Sequence, residues 1–165
     1  MMVAAAGCII AIVAGNVYFS GKQEQRFIQR LHQQEIHDFI FLTTDGDTLH
    51  IQPGEKALIY FWATWSDRST QLLHDLYQWS DHNPEVQLFA AYVKDAAIYA
   101  IEHDRPGGTP FKLVDGTNPY QQLRVPGIPS LILADEQGSP VLTHTGSSSI
   151  KTWLDSELAK KKVLP

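Results

Sequence analysis

The strongest constraint on what this chain can fold into lies between residues 57 and 93. Ala57-Leu58-Ile59-Tyr60-Phe61-Trp62 is an unbroken apolar run. Its length suits a strand in the middle of a sheet, where both faces are covered. Ser66 then opens a stretch whose large apolar residues, Leu72, Leu73, Leu76, Tyr77 and Trp79, recur at helical spacing. A serine hydroxyl in that place can accept a hydrogen bond from a free N–H of the first turn, so Ser66 is the expected N-cap. Val86 to Val93 is a second apolar run of strand length. Strand, helix and strand in this order require a parallel pair, because the helix carries the chain back to the edge where it began. The chain is therefore expected to be α/β.

Shorter signals fill in the remainder. Phe39 to Leu42 and Thr48 to Ile51 flank Asp45-Gly46, a hairpin signature, and Pro53-Gly54 breaks the chain before the central strand. Asp95 to His103 reads as a short helix closed by Arg105-Pro106-Gly107-Gly108, and Asn118 to Leu123 as another. Ser130 to Leu133 and Pro140 to His144 form a hairpin around Glu136-Gln137-Gly138, and Ile150 to Ala159 is a closing helix with Trp153, Leu154 and Leu158 inward. The predicted order is β-hairpin, β, α, β, α, α, β, β, α, with a mixed central sheet flanked by helices.

Composition narrows the chemistry. The 165 residues suffice for one ordinary domain and a short extra segment. A net charge of −5 and the lack of a basic patch with interleaved aromatics argue against a nucleic-acid partner. Lys160-Lys161-Lys162 is read as a solvated tail. Cys8 is the single cysteine, so no intramolecular disulfide can form. The seven histidines show no metal-ligand spacing, and neither a metal nor a cofactor is expected.

Met1 to Phe19 is almost wholly apolar and just reaches the length of a spanning helix. No basic region precedes it, as a cleaved signal would require. Ala6-Gly7-Cys8 has a lipidation-like pattern, but Ile9-Ile10 continue the apolar run beyond it. Residues 1–20 are thus expected to be a single-pass membrane anchor. Residues 21–37, with Phe27, Ile28, Leu31 and Ile36 on one stripe, are expected to be a juxtamembrane helix or stalk, and residues 38–165 the globular domain. The stripe is read as packing on its own domain. Lys22, Arg26 and Arg30 after the span favour a cytoplasmic domain.

Several motifs in order carry a family resemblance over most of residues 38–158. Asp38-Phe39 and Asp45-Gly46 open it. Phe61-Trp62-Ala63-Thr64-Trp65 ends the central strand, residues 95–116 supply an insertion, and Val125-Pro126-Gly127-Ile128-Pro129-Ser130 follows. Asp135, Gly138 and Gly146 close the pattern. This arrangement resembles the membrane-anchored thiol-disulfide oxidoreductases of the TlpA/ResA type within the thioredoxin-like superfamily. The resemblance implies a thioredoxin-like fold and, against the positive-inside indication, an extracytoplasmic or periplasmic domain. It also implies that Ser66 stands where the attacking cysteine of Cys-x-x-Cys would be, Ser69 at the resolving cysteine, and Pro129 at a cis-proline facing the turn. Tyr60 stands at a buried acid that moves protons. Every departure falls on a residue that carries the chemistry, and the packing residues are kept.

A serine hydroxyl is far less acidic than a thiol, whose free pKa is about 8.5, and it cannot form a disulfide. The expected function is therefore a redox-inactive module that binds a protein or peptide through Trp65, Asp67, Arg68, Ile128 and Pro129. The segment before Pro129 would offer its backbone to an extended chain, and no catalytic residue is assigned. Two alternatives stand beside it. One is an active oxidoreductase of this type whose cysteines were replaced by serine. The other is a structural subunit of a membrane complex that makes its contacts through the stalk. A serine hydrolase is disfavoured, since Thr64-Trp65-Ser66-Asp67-Arg68 lacks the Gly-x-Ser-x-Gly frame and His74 lies two turns down the helix.

Overall fold

The computed structural model describes residues 21–94 and 111–162. The expected membrane anchor with Cys8, and the expected helix over 95–103 with its 105–108 terminator, lie outside the described residues. Among the described residues no helix is long and apolar enough to cross a membrane.

Helix α1 covers residues 21–31 and is followed by a 3-10 turn at Ile36–Asp38. Strands β1 (Ile40–Thr43) and β2 (Thr48–His50) form the first hairpin. Then come β3 (Lys56–Trp62), α2 (Asp67–Asp81), β4 (Val86–Tyr92), β5 (Phe111–Asp115), α3 (Thr117–Leu123), β6 (Ser130–Ala134), β7 (Pro140–Thr145) and α4 (Ser147–Lys162). The strands make one mixed sheet in the order β2-β1-β5-β4-β3-β6-β7.

The continuous apolar run does occupy the interior of this sheet. β3 pairs parallel with β4 through all seven residues, from Lys56 opposite Val86 to Trp62 opposite Tyr92. On its other side it pairs antiparallel with β6, ending with Phe61 opposite Ser130. Strand side chains alternate between faces, so β3 feeds two cores. Ala57, Ile59 and Phe61 join Phe27, Leu31, Ile36 and Leu123 on the side of α1 and α3. Leu58, Tyr60 and Trp62 join Leu72, Leu73, Leu76, Ile150 and Leu154 on the side of α2 and α4.

The apolar stripe of residues 21–37 is spent within the first core, where Phe27, Leu31 and Ile36 are fully buried. The helix stops short of the full stripe, and the chain turns before Ile36. The Ile36 N–H donates to the Gly138 carbonyl at 3.3 Å, tying this segment to the β6–β7 turn. Gly138 has φ +77, the left-handed region that favours glycine, and a Cβ there would also press on the His37 ring at 2.7 Å.

Two differences from the sequence reading have identifiable physical causes. The sheet has seven strands, because Phe111–Asp115 is a strand inside what reads as an insertion. Five residues interrupted by Lys112 and preceded by Gly and Pro carry little strand signal. What makes β5 is pairing on both sides, with β4 from Leu88 opposite Phe111 and with β1 at Leu42 opposite Asp115. Helix α4 starts at Ser147, ahead of Ile150, because Ser147-Ser148-Ser149 form a polar first turn that apolar periodicity cannot reveal.

Gly116 sits at a close approach between β5 and α3. Its N–H donates to the Tyr92 carbonyl at 2.8 Å, and its carbonyl accepts the Tyr120 N–H at 2.9 Å. Its φ of −97 suits any residue. A Cβ, however, would lie 2.6 Å from the Ala91 Cβ and 3.3 Å from the Ala91 Cα. Gly116→Ala is therefore expected to destabilise the domain by about 1–3 kcal/mol through overpacking alone. Urea unfolding should show a lower midpoint at an unchanged slope; a midpoint equal to the parent's would refute the close approach.

Candidate functional site

The turn between β3 and α2 is built by the two serines, which have different jobs. Ser66 is the N-cap, extended at φ −112 and ψ 96, and its Oγ accepts the Ser69 N–H at 3.4 Å. Its backbone carbonyl accepts from Ser69 and Thr70 at 2.9 and 3.0 Å. Ser66 thereby takes up the Ser69 and Thr70 donors of the first turn of α2, as an N-cap does. Ser69 is fully buried. Its Oγ donates to the Ala63 carbonyl and accepts the Ala63 N–H, both at 3.3 Å, which pins the end of β3 to the first turn of α2.

Tyr60 completes the arrangement from below. It is fully buried and its hydroxyl donates to the Ser69 carbonyl at 2.8 Å. Burial pushes its pKa far above the usual value for a phenol, against a smaller opposing effect of the bond to Ser69. Tyr60 is thus a neutral donor that holds the turn. In the sequence Tyr60 is one residue of an apolar strand, and the family resemblance adds only that it stands where an acid would be. The bond spans nine residues across a strand, a turn and a helix, and no local pattern signals it.

Around this turn the side chains are open to solvent. Trp65 is 70% exposed. Asp67, in the first turn of α2, and Arg68 are exposed as well. Arg68 borders a cleft of about 390 Å³ between α2 and α4, together with Gln71, Asp75, Ser147, Ser148 and Lys151. His74 is exposed on α2. Trp62 is inside, packed in the second core.

The other wall comes from the loop between α3 and β6. Phe61 is opposite Ser130, so the register carries residue 129 to the level of Trp62, at the end of the sheet where β3 enters its turn. The Ile128–Pro129 peptide bond is cis. The Pro129 carbonyl accepts the Gly146 N–H at 2.8 Å, and the Ser130 hydroxyl donates to the Gly127 carbonyl at 2.7 Å. Both ends of the loop are braced. The backbone N–H and carbonyl of Ile128, between them, take no hydrogen bond among the described residues. Trp65, Asp67, Arg68, Ile128 and Pro129 thus come to one end of the sheet.

The chemistry available there is limited. The site holds two hydroxyls, one of them buried and engaged on both sides, a neutral phenol, and the exposed Asp67 carboxylate and Arg68 guanidinium. Among the described residues no three His, Cys, Asp or Glu side chains gather as a metal site.

No protein-family model matches the chain, and no curated protein matches it either. Solved structures do match. DsbF of MTB superposes with a TM-score of 0.62 at 20% identity, over 76% of this chain and 97% of that one. StoA from Bacillus subtilis gives 0.56 at 18% identity, over 74% and 98%. A secreted Mycobacterium tuberculosis disulfide oxidoreductase homologous to E. coli DsbE gives 0.55 at 15% identity, over 78% and 98%. The fold is thioredoxin-like, and the structures it resembles include thiol-disulfide oxidoreductases.

Proposed function

We propose that this chain is a redox-inactive thioredoxin-like module that captures an extended peptide or protein segment beside Trp65, between the α2 turn and the Ile128–Pro129 loop. The observation that carries the reading is the open backbone of Ile128 next to the cis bond, facing the same end of the sheet as a highly exposed tryptophan. An unpaired N–H and carbonyl on a braced loop can add a strand-like partner through main-chain hydrogen bonds. A large exposed aromatic supplies the apolar anchor for one of its side chains.

The serines support the loss of exchange chemistry. That chemistry needs a thiolate to attack sulfur and a second thiol to resolve the mixed disulfide, and Ser66 and Ser69 supply neither. Asp67 and Arg68 would set charge preference at the rim. The proposal includes an extracytoplasmic domain on a single-pass anchor, supported by the apolar run 1–19 and the secreted oxidoreductase with the same fold. A structural subunit docking through the apolar stripe of α1 is less well supported, because Phe27 and Leu31 are already buried in the domain.

Panning a library of unstructured ten-residue peptides against the full chain tests the reading. Enriched peptides should lose at least tenfold in affinity on Trp65→Ala and on Ile128→Pro, which removes the free N–H. Thermal unfolding would confirm that both variants remain folded. Peptides that ignore both substitutions, or no enrichment at all, would overturn the capture site.

A further inference from the structure

The first core's outer side carries a feature that peptide capture does not use. Arg26 and Arg30, one turn apart on α1, meet Arg124 from the end of α3 around a cleft of about 310 Å³, with Gln23, Val125 and Pro126 completing the wall. The volume is at the small end of ligand clefts, which run from roughly 300 to 1,000 Å³. Through their side chains, none of the three arginines makes an ion pair or hydrogen bond among the described residues.

We propose that this cleft binds a phosphate group. Three arginines from two elements almost a hundred residues apart line one cleft, in a chain of net charge −5. Each presents a planar fork of donors matched to a tetrahedral oxyanion. Local preferences oppose the placement. Like charges four residues apart weaken a helix, yet α1 carries Arg26 and Arg30. Arg124 caps α3 in the left-handed conformation, φ 50 and ψ 53, where glycine or asparagine is favoured. A bound oxyanion offsets the mutual repulsion and gives all three a partner.

Two sources share this chemistry. Arg26 and Arg30 follow the apolar run that ends at Phe19 by seven and eleven residues, which suits the headgroup of an anionic phospholipid. A free phosphate compound would meet the same donors. The cleft lies on the α1 side of the sheet, away from α2, so its fate is independent of the capture site at Trp65.

The test uses the full chain in neutral detergent micelles, followed by the arginine Nε–Hε resonances. The probes are inorganic phosphate and water-soluble dihexanoyl phosphatidylglycerol, with sodium chloride at matched ionic strength and hexa-aspartate as comparisons. The expected result is saturable binding of at least one phosphate probe, weakened tenfold or more by R26Q and by R124G. The second variant removes the guanidinium while giving the left-handed cap its preferred residue, and R26Q leaves the backbone alone. Binding of the lipid without inorganic phosphate assigns a headgroup; equal binding of both assigns a free phosphate ligand. No saturation by either probe overturns the proposal. So does binding untouched by both variants, or hexa-aspartate binding as tightly as phosphate, which would make the cleft an acidic-peptide site.

Discussion

Replacing Ser66 and Ser69 together by cysteine is expected to give this chain a chemistry that it lacks. The parent should show no insulin reduction above a protein-free blank; the double variant should form an intramolecular disulfide and gain measurable exchange. The two positions are three residues apart at the opening of α2, close enough for the Ser66 hydroxyl to accept the Ser69 N–H. Their environments differ in the direction that exchange requires. Residue 66 is half-exposed at a helix N-terminus, where the first-turn N–H groups stabilise a thiolate and lower its pKa below the free value of about 8.5. Residue 69 is buried against Ala63, which hides a thiol and raises its pKa.

The single variants make this quantitative. Ser66→Cys should react with iodoacetamide at least tenfold faster at pH 7 than Ser69→Cys, with a rate that rises at lower pH than for a free thiol. Ser69→Cys should also cost stability, about 1–2 kcal/mol, because sulfur replaces the oxygen that bonds both backbone groups of Ala63. Exchange by the double variant should stay slow, since Tyr60 remains a neutral donor where an acid would move protons. Parent activity above the blank would refute the loss of exchange chemistry. A double variant whose two thiols stay free in mild oxidant would refute the geometry of the turn. A variant that forms its disulfide yet ignores protein substrates would mean the rim, including Trp65, serves a different partner.

The sequence reveals elements set by local pattern and hides those set by pairing at a distance. β3 is legible because six apolar residues in a row have one place to go, and α2 because Ser66 marks its start and the leucines its face. β5 is not legible, since its five residues become a strand only through neighbours more than twenty residues before them. At the candidate site, Ser66, Trp65 and Pro129 stand out by position in a motif. The bonds from Tyr60 to Ser69 and from Ser69 to Ala63 join residues that no helical or strand period relates. The arginine cleft is half visible: Arg26 and Arg30 share a helix face in the sequence, but only the packing of α1 against the core brings Arg124 to them.

Phe61→Ala should be a strongly damaging truncation near the site, and the comparison with Val141→Ala shows why. Both residues are apolar and both lie in strands. Phe61 is fully buried at the end of β3, its ring edge-on to Tyr120 with centroids 5.8 Å apart and packed close to Gly116. Val141 lies on the edge strand β7 and is 58% exposed. Truncating a buried phenylalanine removes its transfer energy and leaves a cavity, typically about 3–5 kcal/mol. That is a large share of the 5–15 kcal/mol, roughly, by which a domain is stable. At about 2–4 °C per kcal/mol for a chain of this size, Tm should fall by about 6–20 °C. Val141→Ala should stay within about 0.5 kcal/mol of the parent, as a surface change does. The cavity left by Phe61 borders both Tyr120, on α3, and Gly116, so the loop that follows α3 and carries Ile128 and Pro129 should loosen before the domain unfolds. Amide exchange read at Arg124 and Val125, whose N–H groups donate to Gln121 and Tyr120, should accelerate in Phe61→Ala and not in Val141→Ala. Equal Tm losses for the two variants would contradict the placement of Phe61 at the junction of β3, α3 and the candidate site.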